Sequence, residues 1–146
     1  MIRNLITLIL IFNIAIVNAQ TFTDIQAGLT GVSESASNWI DYDEDGDLDI
    51  LVTGEFYNPS QGIRTKLYRN LRNDKFAAVS STIANVYRGS FDYADYNLDG
   101  IVDLFLIGEM PNGKSIAYLY KGNRNTSFTR ISTTIPGVTD GSVVWG

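Results

Sequence analysis

The chain has 146 residues, 45% of them apolar, with no cysteine, no histidine and a formal charge of −5. That length accommodates one or two small domains. The composition excludes a disulfide framework, zinc sites built on Cys or His, and Ser-His-Asp or Cys-His catalysis in their usual forms. The acidic balance argues against a nucleic-acid partner, which needs a basic face.

Residues 1–19 read as a cleaved export signal. Arg3 gives one positive charge, Leu5 to Val17 is apolar apart from Thr7 and Asn13, and Val17-Asn18-Ala19 supplies slim residues before Gln20. The apolar run is short for a bilayer anchor, so no membrane span is expected after cleavage, and the mature chain is expected to be secreted or at the cell surface. Its 10 basic and 16 acidic residues then give −6.

From residue 20 onwards the sequence repeats. Phe22-Thr-Asp-Ile25 returns as Phe76-Ala-Ala-Val79 and Phe128-Thr-Arg-Ile131, and Trp39, Tyr93 and Trp145 correspond. In each unit an aromatic precedes an acidic loop that runs into an apolar stretch, first Ile50-Leu-Val-Thr-Gly54 and then Leu104-Phe-Leu-Ile-Gly108. Further strands follow at Thr65–Arg69 and Ile116–Lys121, with polar turns between them. The units are 22–75, 76–127 and a partial third, 128–146.

A half-exposed strand alternates apolar and polar residues; these second strands do not, so each needs cover on both faces. Four-stranded antiparallel sheets of this period, stacked face to face, describe an all-β fold of β-propeller blades. Two full blades plus a partial third make an incomplete ring. Trp39, Tyr93 and Trp145 are expected to pack between blades rather than to form a sugar-stacking platform.

The spacing D-x-[DN]-x-D-G-x-x-D occurs once per full unit, 54 residues apart (Asp41 to Asp95). Positions 1, 3 and 5 aim side-chain oxygens at one centre. Gly at position 6 permits the turn, and the carbonyl of position 7 and the carboxylate of position 9 complete a cage. The first cage is Asp41, Asp43, Asp45, the Asp47 carbonyl and Asp49; the second is Asp95, Asn97, Asp99, the Ile101 carbonyl and Asp103. Two carboxylates about 4 Å apart repel by about 4 kcal/mol at an effective dielectric of 20, so such a group calls for a cation. All-oxygen ligands in a flexible loop favour Ca²⁺ over Mg²⁺, and two calcium sites are expected. The first loop, with Glu44 and Asp47 in addition, is expected to bind more tightly. The pattern is not an EF-hand, because position 12 falls on Val52 and Leu106 instead of a bidentate Glu. Glu55 and Glu109, at position 15, read either as outer contacts of the site or as charges where the strand meets solvent.

With these loops placed, Trp39-Ile-Asp-Tyr-Asp-Glu-Asp-Gly-Asp-Leu-Asp-Ile-Leu-Val-Thr-Gly54 and Lys66-Leu-Tyr-Arg-Asn70 resemble the FG-GAP/VCBS repeat family, whose members include blades of the integrin α propeller and of secreted bacterial proteins. The resemblance extends over 22–146. It implies a seven- or eight-bladed propeller used for binding, with Ca²⁺ held in the loop between the first two strands of a blade. Two and a third blades do not close a ring. The expectation is therefore an N-terminal fragment of a longer protein or a truncated reading frame, the alternative being a short protein that assembles blades between chains.

No nucleophile with a base, no phosphate loop and no basic patch occurs, so the chain is expected not to be an enzyme. The functional expectation is a secreted calcium-binding repeat protein that binds an extracellular protein or glycan. The alternatives are a non-catalytic accessory module of a secreted polysaccharide-degrading enzyme and a purely structural spacer. Expected partners are that protein or glycan and further blades, from downstream sequence or from other chains.

Overall fold

The computed structural model describes residues 20–57 and 62–146. The expected export signal lies outside the described residues. Among them there is no helix, and eight strands form two four-stranded antiparallel sheets. The first sheet has the order β1 (Val32–Ile40), β2 (Asp49–Phe56), β3 (Gly62–Asn70), β4 (Phe76–Val79). The second has β5 (Tyr87–Ala94), β6 (Asp103–Glu109), β7 (Ser115–Gly122), β8 (Phe128–Ile131). Each is a simple meander, the expected all-β blade.

The register explains the two-sided apolarity of the second strands. Leu51 lies between Asn38 and Leu67, and Leu67 in turn faces Val79; Ile50 lies between Trp39 and Tyr68. Neighbours paired in this way share one face of the pleat, and the next residue takes the other face. The Leu51 face packs against the second sheet. Ile40, Leu51 and Leu67 meet Phe91, Leu104, Leu106, Tyr120 and Phe128 in one core, with Tyr93 at its margin. Leu51, Leu104 and Leu106 have no exposed surface there. The Ile50 face carries a smaller cluster of Ile50, Val52, Phe56 and Tyr68, flanked by Val32 and Phe76. Lys66 lays its ammonium over the Phe56 ring at 4.5 Å.

The two sheets meet chiefly through their first strands, β5 lying against β1 and β2. The segment from β4 to β5 threads between them. It buries Ile83 and Val86 and is held by polar contacts. The Thr65 hydroxyl donates to the Ala84 carbonyl (2.7 Å), the Thr65 amide to Asn85 Oδ1 (2.9 Å), and the Tyr120 hydroxyl accepts from the Ala84 amide (2.9 Å). Residues after β8 cover the far face of the second sheet. Trp145 stacks on Tyr96 (centroids 6.4 Å apart) and meets the Phe105 ring edge-on. Trp39, the matching residue of the first sheet, is half exposed beside Phe76.

Of the three Phe-led segments expected as strands, two are strands and one is not. Phe76–Val79 and Phe128–Ile131 are strands, paired to β3 and β7 respectively. Phe22–Ile25 is not a strand, and Phe22 is 89% exposed. A fourth strand exists by pairing with a third, and no described strand precedes Phe22. The sheets accordingly span 32–79 and 87–131, and each Phe-led segment closes the sheet before it.

Both first strands carry an irregularity in the same place, between Ser33 and Ala36 and between Tyr87 and Ser90. Glu34 (φ 46°) and Arg88 (φ 48°) take left-handed backbone there, as does Asp140 (φ 54°). These three align by the repeat and form a ladder of alternating charge: Arg88 Nε lies 4.0 Å from Glu34 and 3.1 Å from Asp140. Opposite each bulge is a glycine, Gly54 (φ 147°) and Gly108 (φ 148°). A Cβ on Gly54 would stand 2.8 Å from both the Ser33 carbonyl oxygen and the Ser35 Cβ, whereas one on Gly62 would meet nothing. Gly54→Ala is therefore expected to cost about 2–3 kcal/mol and Gly62→Ala about 1 kcal/mol, from backbone strain alone in the second case. Urea unfolding of the two variants would test this; equal losses would contradict the close approach at the bulge.

Candidate metal centre

Each acidic loop joins the first two strands of its sheet, and the two loops have the same backbone. Gly46 (φ 83°) and Gly100 (φ 84°) make the expected turn at position 6, and Glu44 (φ 58°) and Leu98 (φ 60°) take left-handed backbone at position 4. The hydrogen bonds recur as well. Asp41 Oδ2 accepts from the Gly46 amide (3.1 Å), and Asp95 Oδ2 from the Gly100 amide (2.7 Å). Asp45 Oδ1 accepts from the Asp47 amide (3.0 Å), and Asp99 Oδ1 from the Ile101 amide (3.1 Å).

The position-9 carboxylates clip the loop to the third strand. Asp49 Oδ2 accepts from the Tyr42 amide (3.3 Å) and Oδ1 from the Asn70 amide (2.7 Å). Asp103 does the same with Tyr96 (3.2 Å) and Gly122 (2.8 Å). Both side chains are buried. Burial pushes the Asp49 carboxyl up to about 6 against the opposing pull of the Asn70 and Tyr42 amides, and it raises Asp103 against those of Gly122 and Tyr96.

Side chains then separate the loops. In the first, one oxygen each from Asp41, Asp43 and Asp49 lies within 4.8 Å of the others; among the described residues this is the only such group of three. The Asp43 side chain is 6% exposed. Its Oδ1, like Asp41 Oδ1, is buried and has no hydrogen-bond partner. Arg69 closes the open side, with Nε 2.8 Å from Asp43 Oδ2 and Nη2 3.1 Å from Asp45 Oδ2. The Asp45 carboxyl is held low by the Asp47 amide and then by Arg69. The Asp47 side chain turns outward to pair with Arg72, leaving only its carbonyl for the cage.

In the second loop the matching oxygens are taken. Both Asp95 oxygens accept backbone amides, from Asp99 and Gly100. The Asn97 amide donates to Asp103 Oδ2 (3.0 Å), and Lys121 Nζ lies 2.9 Å from Asp99 Oδ2, lowering the Asp99 carboxyl. The Ile101 side chain is buried, so it too could offer only a carbonyl. Glu109 stands at the far end of β6 from this loop and accepts from the Tyr87 hydroxyl (3.0 Å). That arrangement belongs to the bulge and not to the acidic site.

The donor set of the first loop, oxygens that can only accept, suits a hard cation. Two buried acceptors without a donor are costly unless something positive reaches them, so the residues fit the calcium read from the spacing. Sequence reasoning missed Arg69 and Lys121. The signal was there: a basic residue occupies the same register near the end of the third strand in both units.

Two stability effects follow from this geometry without any metal. Asp103→Ala orphans the Tyr96 and Gly122 amides and is expected to cost about 2–4 kcal/mol in chelator, with Asp103→Asn milder. Leu98, 89% exposed at φ 60°, gains nothing from its side chain. Leu98→Asn is expected to stabilise by about 0.5–1 kcal/mol, because Asn tolerates left-handed backbone. Denaturant titration reads both, and a neutral Asp103→Ala would show that the clip does not hold the loop.

Comparison with curated proteins gave no match, and neither did comparison with solved structures. Comparison with protein-family models did: residues 41–106, from the first acidic loop through the second and into β6, match the FG-GAP-like repeat. Two stacked four-stranded sheets with the acidic loop at the same corner of each are consistent with that match, so the segment 41–106 is similar to an FG-GAP-like repeat.

Proposed function

We propose that the chain is a secreted, calcium-stabilised repeat module that binds an extracellular protein or glycan and performs no catalysis. The observation that carries the calcium reading is the pair of buried, unpartnered oxygens of Asp41 and Asp43 beside Asp49. A bound calcium would supply electrostatic cross-linking of a loop whose carboxylates otherwise repel. Asp41, Asp43, Asp45, Asp49 and the Asp47 carbonyl would hold it in the first loop. Asp95, Asn97, Asp99, Asp103 and the Ile101 carbonyl form the second, weaker site, whose oxygens are already engaged. The export reading rests on residues 1–19. Ligand contacts are assigned, from the sequence, to the turn-rich stretches Asn58–Gly62 and Pro111–Gly113, because such segments vary freely on a fixed scaffold. The half-exposed Trp39 and the apolar cluster behind it favour a further sheet, of this chain or another, as a second kind of partner.

Calorimetric titration of the full chain with Ca²⁺ tests the metal reading. Binding is expected, with Asp43→Asn abolishing the tighter event and Asp99→Asn touching only the weaker. At a free calcium concentration of 100 Kd the stabilisation should be about 2.7 kcal/mol, seen as a higher Tm than in chelator. Equal melting with calcium and with chelator would overturn the reading. For the partner, a glycan and matrix-protein array is expected to show calcium-dependent capture.

A further inference from the structure

The first acidic loop comes with a cation of its own. Arg69 lies in the last turn of register before β3 ends, beside the loop that opens β2, and its guanidinium bridges Asp43 and Asp45, positions 3 and 5 of the cage. The detail that matters is which oxygens it takes. Asp45 Oδ1 is committed to the Asp47 amide at 3.0 Å, so Oδ2 is the oxygen Asp45 has to offer, and Arg69 Nη2 holds it at 3.1 Å. At Asp43, Oδ2 is on Arg69 Nε, while Oδ1 is buried without a partner. Lys121 repeats the arrangement in the second loop. Asp99 Oδ1 is on the Ile101 amide, and Oδ2 is on Lys121 Nζ at 2.9 Å. Equivalent positions of β3 and β7 therefore each place a positive charge on the position-5 carboxylate.

We propose that Arg69 is a built-in counter-cation of the first loop, which holds the metal-free loop together and must release Asp45 for a divalent cation to be fully ligated. The proposal rests on the calcium reading above. The guanidinium has somewhere to go, since the Arg69 side chain is 45% exposed while that of Asp43 is 6% exposed. A guanidinium spans two carboxylates with its planar fork and an ammonium cannot do so in the same way, so Arg69 is the stronger competitor of the two. Calcium binding to this loop is thus an exchange of one cation for another, and its strength is set in part by a residue outside the cage.

The test is calcium titration of the full chain, wild type against Arg69→Gln, Arg69→Lys and Arg72→Gln. Arg72 is the control. It removes the same charge from the same loop, but pairs with the Asp47 side chain, which is not a ligand. Arg69→Gln is expected to bind calcium about three- to fivefold tighter, Arg69→Lys to lie between it and wild type, and Arg72→Gln to shift by less than about twofold. In chelator Arg69→Gln is expected to melt below wild type, and its gain in Tm on adding calcium to be the larger. Raising the salt should shrink the difference in affinity. Unchanged or weaker binding by Arg69→Gln, or an equal gain in Arg72→Gln, would overturn the proposal while leaving the calcium site standing. Should Arg69→Gln fail to fold, Arg69→Lys decides: affinity equal to wild type would overturn it. A wild-type chain that binds no calcium would overturn both.

Discussion

A four-stranded sheet whose second strand is apolar on both faces cannot cover itself. Ile50 and Leu51 point to opposite sides of the first sheet and are both buried; Leu104 and Phe105 also point to opposite sides in the second, Leu104 buried and Phe105 half-buried against Trp145. The fold follows from that requirement. One face of each sheet must find a neighbour, and the neighbour that repeats the same pattern fits by the same register. Leu51 and Leu67 meet Leu104, Leu106 and Tyr120 because both sheets present matched rows of residues at matched heights. The connecting segment is drawn into the seam with Ile83 and Val86; the Thr65 and Tyr120 hydroxyls satisfy the Ala84 backbone, and the Thr65 amide donates to the Asn85 side chain. At the ends of the stack the requirement is met unequally. Residues following β8 lie over one open face, and the other keeps Trp39 half exposed.

Stacking also fixes where charge can be placed. The acidic loops sit where the first strand turns into the second, at one end of each sheet, and the bulges sit at the other end. Nine of the sixteen acidic residues lie in the two loops, so the net negative charge of the chain is local. It is answered locally by Arg69, Arg72 and Lys121. The opposite end carries the Glu34–Arg88–Asp140 ladder, in which the residues of successive units alternate in sign and so attract along the stack. Exposed pairs of this kind contribute little each; their alternation does more to fix which unit neighbours which than to stabilise either.

Much of this was legible in the residues. Two loops with identical spacing identified the turns at Gly46 and Gly100, and continuous apolarity identified the strands that are covered twice. What stayed hidden depends on partners distant in sequence. Phe22–Ile25 has the same Phe-x-x-aliphatic pattern as two real strands and is not one, because a strand is defined by what it pairs with. Left-handed backbone is taken at the bulges by Glu34 and Arg88 and in the acidic loops by Glu44 and Leu98, residues that do not favour it. Asp49 and Asp103 read as ligands from their spacing. Their hydrogen bonds to the amides of Asn70 and Gly122 could not be read, since these join positions about twenty residues apart. Arg69 and Lys121 were visible only as basic residues in strands.

The contrast between the loops comes down to one functional group. Their backbones share the same left-handed positions and place the same amides on positions 5 and 9; position 1 accepts one amide at Asp41 and two at Asp95. Position 3 is Asp43 in one and Asn97 in the other. An amide can donate, so Asn97 closes onto Asp103 Oδ2, and the remaining charge is met by Lys121. A carboxylate can only accept, so Asp43 has nothing in the loop to close onto. Its Oδ1 is buried without a donor, as is that of Asp41, even with a guanidinium on the other side of Asp43. The second loop can therefore hold its shape as a hydrogen-bonded clip, whereas the first remains an acceptor cage with unmet demand. Exchanging oxygen for nitrogen at this position separates a loop that serves structure from one in which a cation has something to satisfy.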